Sequence, residues 1–276
     1  MLKRAFLENL DWRKERVCTE AVMGVLGMRF RRALSSRKKN SMLGAENDLK
    51  LSDKYSSDKG KSVQLAGSVL GDRSHVCAFF NNREDEYRLL LPFVRDGLER
   101  GEKIVYTIDP ERRAEHMEQL ATWGIDAPTL LQNGRLELRT WSDTHLLEGY
   151  FDQHRTLKLF EGVVSKAKRD GFPLTRFVTH MEWALKNEKQ ITDLLEYEAI
   201  ANEIWERQEG ATNPVICTYD LTKFGGDVVV DVMRTHPMII IGGILQENPF
   251  YVPPQQFLQE LRERLGPKPT RISPDC

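Results

Sequence analysis

From His75 onward the apolar residues fall into short continuous runs separated by longer amphipathic stretches. The runs Val76–Phe80, Lys103–Ile108, Leu136–Trp141, Thr175–Trp183, Val215–Tyr219 and Met238–Gln246 predict strands. Within them IVYTI, VICTY and MIIIGGIL alternate too little for a sheet with one wet face and suit strands buried on both sides. Helical spacing occupies the intervals Glu84–Arg100, Pro110–Trp123, Tyr150–Arg169, Ile191–Glu209 and Gly225–Arg234. Strands joined by crossover helices predict an α/β fold, a three-layer sandwich around a mostly parallel sheet. A proline-started amphipathic helix, Gln255–Leu265, closes the pattern at Gly266-Pro267.

Upstream the pattern changes twice. Between Leu2 and Leu34 apolar residues recur at helical spacing, including Phe6, Leu10, Val17, Ala21, Val25 and Met28, with Gly24 and Gly27 weakening the helix. From Ser35 to Ser74 the chain turns polar and rich in Ser, Lys, Gly and Asp, a composition that buries too little surface to repay its ordering entropy. These shifts predict a short helical arm over 1–34, a flexible linker over 35–64, a main domain over 65–266 and a tail over 267–276.

Composition narrows the class. With 40% hydrophobic and 29% charged residues in 276, the chain can bury a full core. Its longest strongly apolar stretch, Met238–Leu245, is far short of the ~20 residues that span a bilayer. Arg13, Lys14, Glu15 and Arg16 interrupt the N-terminal apolar residues, so no secretory signal is supported and a cytoplasmic location is expected. Cys18, Cys77, Cys217 and Cys276 are scattered, without a CxxC pair, and are expected to be reduced thiols.

Charge is unevenly spread. Residues 1–40 hold eleven Lys/Arg against four Asp/Glu, a surplus of +7, which leaves about −8 on the remaining 236 residues. An acidic body is a poor non-specific binder of nucleic acid, whereas a basic arm can reach phosphates. Thr19–Lys39 places Leu26-Gly27-Met28 where a helix-turn-helix needs its turn, and Arg29, Arg31, Arg32, Lys38 and Lys39 would then supply phosphate contacts. A solvated arm, or a true start at Met42, accounts for the same residues.

The segment FVRDGLERGEKIVYTIDPE, followed by LATWGIDAPTLLQNGRLELRTW, resembles the RecA/KaiC-type ATPase core from its first helix to its third strand. A functional ATPase of that kind carries GxxxxGK[ST] after the first strand, so that backbone amides and a lysine hold the phosphates. Here the turn reads Asn81-Asn82-Arg83-Glu84-Asp85-Glu86, and His180 falls where the magnesium-binding aspartate would stand. Three carboxylates repel a triphosphate, although they suit the dipole of a helix start. Taken together, HVCAFF, LLPFVRDGLERGE, LTRFVTHMEWAL, NPVICTYDLTKF and DVMRTHPMIIIGGILQENPFYVPP resemble one family, the MEDS domain, named for methanogens, methylotrophs and the dichloromethane-responsive repressor. The resemblance covers about Leu65 to Leu265, and the arm departs from it. It implies a RecA-like fold that no longer hydrolyses ATP and senses small molecules, often hydrocarbon derivatives, in bacterial regulators.

His75 and Cys77 lie two apart on a strand and so project from one face. The resemblance makes the pair a candidate sensing element; on spacing alone, packing competes with it. A metal reading would recruit His180 or Cys217 from neighbouring strands into tetrahedral N/S coordination, but no metal and no cofactor is assigned. Ligands of open parallel sheets bind beyond the carboxyl ends of the strands, where Glu182, Trp183, Tyr219 and Asp220 fall. Trp183 would form an apolar wall and Glu182 a polar anchor, against the competing account in which Glu182 caps a helix and Trp183 fills the core. His236 either reaches this site or serves the rigid proline-rich turn around it. His116, His145 and His154 are read as lying on surface helices and loops and receive no role. The expected function is a non-enzymatic sensory regulator, a transcriptional repressor that answers to a small organic or halogenated hydrocarbon. The alternatives are a protein-interaction module in a kinase or sigma-factor pathway, or a residual ATPase. Promoter DNA through the arm, a protein partner and a homodimer are the macromolecular contacts left open, and no membrane is implied.

Overall fold

Each long apolar run enters one sheet, and the direction of every crossover decides which face its helix covers. The computed structural model describes residues 62–206 and 212–266. The arm, most of the linker and the tail lie outside the described residues, and with them Arg29, Arg31, Arg32, Lys38 and Lys39. In chain order the elements are β1 Val63–Leu65, β2 Ser68–Leu70, β3 His75–Phe80, α1 Arg83–Glu99, β4 Lys103–Ile108, α2 Arg113–Thr122, α3 Ala127–Gln132 and β5 Leu136–Thr140. They continue with α4 Gln153–Arg169, β6 Thr175–His180, α5 Glu188–Glu206, β7 Val215–Asp220, α6 Gly226–Thr235, β8 Met238–Ile241, β9 Ile244–Glu247 and α7 Pro254–Leu265.

The seven-stranded sheet runs β5-β4-β6-β7-β3-β8-β9 and is parallel except for β9. From β3 the chain steps one way to β4 and β5, then reverses through β6, β7 and β8. Right-handed crossovers put helices of opposite steps on opposite faces. Burial follows that rule. Val76, Ala78 and Phe80 of β3 pack with Leu90, Leu91 and Val94 of α1, whereas Cys77 and Phe79 pack with Leu194, Leu195 and Trp205 of α5. Each such aliphatic side chain contributes about 1.5–3 kcal/mol by leaving water.

α1 starts at Asn82, whose side chain accepts from the Asp85 amide at 2.9 Å, with Glu84, Asp85 and Glu86 in the first turn. Further along, Arg176 of β6 is fully buried beneath α1, with its guanidinium 2.6 Å from Asp96 and donating to the Phe93 carbonyl at 2.5 Å. The motif FVRDGLERGE therefore frames a buried guanidinium.

Four expectations need correction. The polar stretch before His75 is not linker throughout, because β1 and β2 form a hairpin through Ala66 and Gly67, both at positive φ, and bury Val63, Leu65 and Leu70. Met238–Gln246 is not one strand, since Gly242 and Gly243 at φ 59° and 79° turn it back as the β8–β9 hairpin. The strand from Thr175 stops at His180, and Glu182–Lys186 continues as a 3-10 turn. His116 and His145 are not on the surface; both are buried. No described helix is long and apolar enough to cross a membrane.

Candidate functional site

Strand parity separates the candidate residues into two clusters on opposite faces of the sheet. On the α1 face, at the carboxyl ends of the strands, His180 Nε2 stands 2.8 Å from Glu86 Oε1. Arg83 bridges Glu86 and Glu182 by two short ion pairs. His116 reaches the hydroxyl of Tyr87 through Nδ1 at 3.1 Å and lies edge-on to Tyr106. Burial opposes ionisation of Glu86, but His180 and Arg83 outweigh it and hold its pKa down to about 2. Burial, reinforced by the charge of His180, keeps His116 neutral down to about pH 3. Glu182 Oε2, His116 Nε2 and His180 Nδ1 are buried and have no hydrogen-bond partner in the protein. The acidic turn thus has a use that composition could not show: Glu86 faces inward as a partner of His180, while Asp85 pairs with Arg88 outside. Asp220, at the end of β7, accepts from the amide and hydroxyl of Thr222 at 2.9 and 2.6 Å and so closes the following turn.

On the opposite face His75, Glu198, Cys217 and His236 converge, with one ligand-type atom of each lying within 4.8 Å of the others. His75 Nε2 is 3.3 Å from Cys217 Sγ and 3.2 Å from Glu198 Oε2, and His236 Nε2 is 3.3 Å from the same oxygen. Tyr219 donates to the other Glu198 oxygen at 2.6 Å. Burial would raise the Glu198 pKa, yet the two histidines prevail and hold the carboxyl far below the usual range. Burial and the neighbouring Glu198 charge push the thiols of Cys77 and Cys217 up. A cavity of about 10 Å³, the size of a single water, adjoins His75 and Cys217 among Phe160, Phe177, Met181 and Trp205.

Cys77 stays out of this cluster, its Sγ lying 3.7 Å from the Met238 carbonyl. Trp183 is fully buried on the α5 face, stacked between His145 at 5.0 Å and Phe151 at 4.5 Å. Glu182 pairs with Arg83 and caps no helix. His236 belongs with His75 rather than with Glu182. Sequence reading passed over Glu198 and Asn202, although both occupy the apolar stripe Leu194, Leu195, Glu198, Asn202, Trp205 of α5, where a polar residue stands out. Arg83, Glu86 and His116 carried no comparable signal.

A layered, mostly parallel sheet whose strand β3 leads into a carboxylate-bearing helix start, with no glycine cradle, defines an α/β domain without a phosphate loop. The chain belongs to the MEDS family, "MEthanogen/methylotroph, DcmR Sensory domain", whose model matches residues 74–237. It is similar to the transcriptional repressor DcmR of Methylorubrum extorquens, with 24% identity over 176 residues, or 63% of this chain and 62% of the repressor. The chain therefore matches less than two thirds of the repressor's length. Among solved structures it is similar to the KaiC-like protein PH0186 of Pyrococcus horikoshii, at 16% identity and a TM-score of 0.42 over 60% of this chain and 69% of that one.

Proposed function

We propose that this chain is a non-enzymatic sensory regulator of transcription, in which the α/β domain receives a small organic molecule and the basic arm meets promoter DNA. The observation that carries the reading is the polar cluster at the carboxyl ends of the strands. There Arg83, Glu86, His180 and Glu182 gather at the turn between β3 and α1, and Glu182 Oε2, His180 Nδ1 and His116 Nε2 lack protein partners. Buried polar atoms left without partners cost free energy that a small ligand with its own donor or acceptor would recover. Carboxylates at the helix start disfavour a triphosphate. Family membership and the likeness to a repressor support the regulatory role.

The test pairs calorimetric titration with a gel-retardation assay. ATP with magnesium should give no heat and no phosphate release. One member of a panel of one- to three-carbon halogenated or oxygenated hydrocarbons should bind, and Glu182→Gln should weaken it. Promoter DNA should bind the whole chain with affinity falling by a log-log salt slope of about −0.9 per phosphate neutralised. Steady ATP turnover would overturn the sensory reading, and failure of the whole chain to retard DNA would move the output to a protein partner.

A further inference from the structure

We propose that His75, Glu198, Cys217 and His236 form a closed, four-ligand binding site for a divalent zinc-class cation inside the domain. The inference is independent of the regulatory reading above. Four neighbouring distances carry it: His75 Nε2 to Glu198 Oε2 is 3.2 Å, His75 Nε2 to Cys217 Sγ 3.3 Å, His236 Nε2 to Glu198 Oε2 3.3 Å, and Cys217 Sγ to Glu198 Oε2 3.7 Å. A tetrahedral ion with N and O ligands at ~2.0–2.1 Å and a thiolate at ~2.3 Å has ligand-to-ligand edges of roughly 3.3–3.6 Å. Four of the six separations, 3.2–3.7 Å, thus lie close to the edges of a coordination tetrahedron, and the other two, within 4.8 Å, would close by a small side-chain shift on binding.

Hydrogen bonds aim the ligand atoms inward. His236 Nδ1 lies 2.9 Å from the Val232 carbonyl, which can only accept, so Nδ1 carries a proton and Nε2 is the nitrogen turned to the centre as the potential metal ligand. Asn202 donates through Nδ2 to the Glu198 and Thr235 carbonyls, which turns its Oδ1 toward His75 Nδ1 at 2.9 Å. His75 is thereby turned the same way. Tyr219 occupies Glu198 Oε1 and leaves Oε2 to the centre. Such outer partners fix the orientation of metal-bound imidazoles and carboxylates. All four residues are at least 97% buried. Protons on the two Nε2 atoms face Glu198 Oε2 when no cation is bound, and a cation would take their place, drawing both imidazole lone pairs, the carboxylate oxygen and the Cys217 thiolate to one centre.

Charge also closes. A divalent ion with one carboxylate, one thiolate and two neutral imidazoles is neutral overall, as a dry interior requires. Uptake expels the Cys217 proton, and any imidazolium proton, to solvent. Mixed N, O and S donors in a tetrahedron select zinc over magnesium or calcium. Four protein ligands leave no open position, so the ion is structural, tying the central strands β3 and β7 to α5 and to the residue that precedes β8.

The experiment is elemental analysis of the untagged full chain purified without chelator, with X-ray absorption at the zinc edge. The expected result is one zinc per chain in a shell of one sulfur and three nitrogen or oxygen atoms. Cobalt(II) exchanged for zinc should show the sulfur-to-metal charge-transfer band and the intense visible bands of a tetrahedral site. Cys217→Ser should abolish that band, and Asn202→Leu should weaken metal binding by ~10–100-fold. The absorption measurement needs no variant and keeps the test valid if a variant fails to fold. A chain that stays metal-free after zinc addition while folded, or a metal shell without sulfur, overturns the proposal.

Discussion

A Cβ placed on Gly97 would stand 2.6 Å from Nε and 2.8 Å from Cδ of Arg176. The notch in α1 exists for that guanidinium, which cannot withdraw, because Asp96 and the Phe93 carbonyl hold it from the same helix and Glu102 from the loop beyond. Gly97→Ala gains about 1 kcal/mol of helix propensity. Overpacking costs about 1–3 kcal/mol, and disturbing a buried ion pair costs about 3–5 kcal/mol. The variant should lose about 3–7 kcal/mol net in urea unfolding. Gly162→Ala on α4, where an added Cβ meets nothing within 4 Å, should gain up to about 1 kcal/mol instead. Equal midpoints for the two variants would remove the notch argument.

Trp183 is fully buried and stacked between His145 and Phe151. Trp183→Ala should destabilise the domain by about 3–5 kcal/mol through the cavity it leaves. Trp183→Phe, which keeps one ring in the stack, should lose clearly less. Chemical denaturation followed by circular dichroism checks both, and an unperturbed Trp183→Ala variant would return this residue to the list of ligand contacts.

His145 supplies a pH signature. Burial, only partly offset by Glu198, holds the folded imidazole neutral down to about pH 3, whereas the unfolded one protonates near its ordinary 6.5. Between those values the unfolded chain binds the extra proton, so the contribution of His145 is complete above pH 6.5 and is lost as pH falls toward 3. His145→Phe keeps the stack on Trp183 and removes the titration. Its stability should fall less steeply between pH 6 and 4, by about 1.4 kcal/mol per pH unit, in denaturant titrations. An unchanged slope would mean that His145 is protonated in the folded state.

Glu86 acts at lower pH. Its carboxyl is held at about 2 in the fold against an ordinary 4.5, so its contribution is complete above 4.5 and disappears as pH falls through 2. Glu86→Gln should flatten the acid limb over that window and cost on the order of 3 kcal/mol at neutral pH, since His180 and Arg83 lose their shared partner. Parallel acid-unfolding curves for the variant and the parent would contradict the pairing.

The sequence by itself determined the layers. Lys103–Ile108 was legible to the residue because Gly101 and Asp109 bracket the β-branched and aromatic run Ile104–Ile108, and α1 because Asn82 and three acids mark its start. It determined the family as well, through motifs that the fold explains: the glycine of FVRDGLERGE receives Arg176, whose place is in LTRFVTHMEWAL. It did not reveal the β8–β9 hairpin, because Gly242-Gly243 within an apolar run reads equally as a strand interior or as a turn. Only the tertiary structure decided which polar residues meet. His75 and His180, both read as one site, part across the sheet because residues of alternate parity on parallel strands face opposite layers. Glu198 meets His75 across 123 positions of sequence, since the crossover that places β7 beside β3 lays α5 over both. Periodicity reports which side of an element is apolar, but the partner on that side is set by the order and handedness of the crossovers, which no local pattern carries.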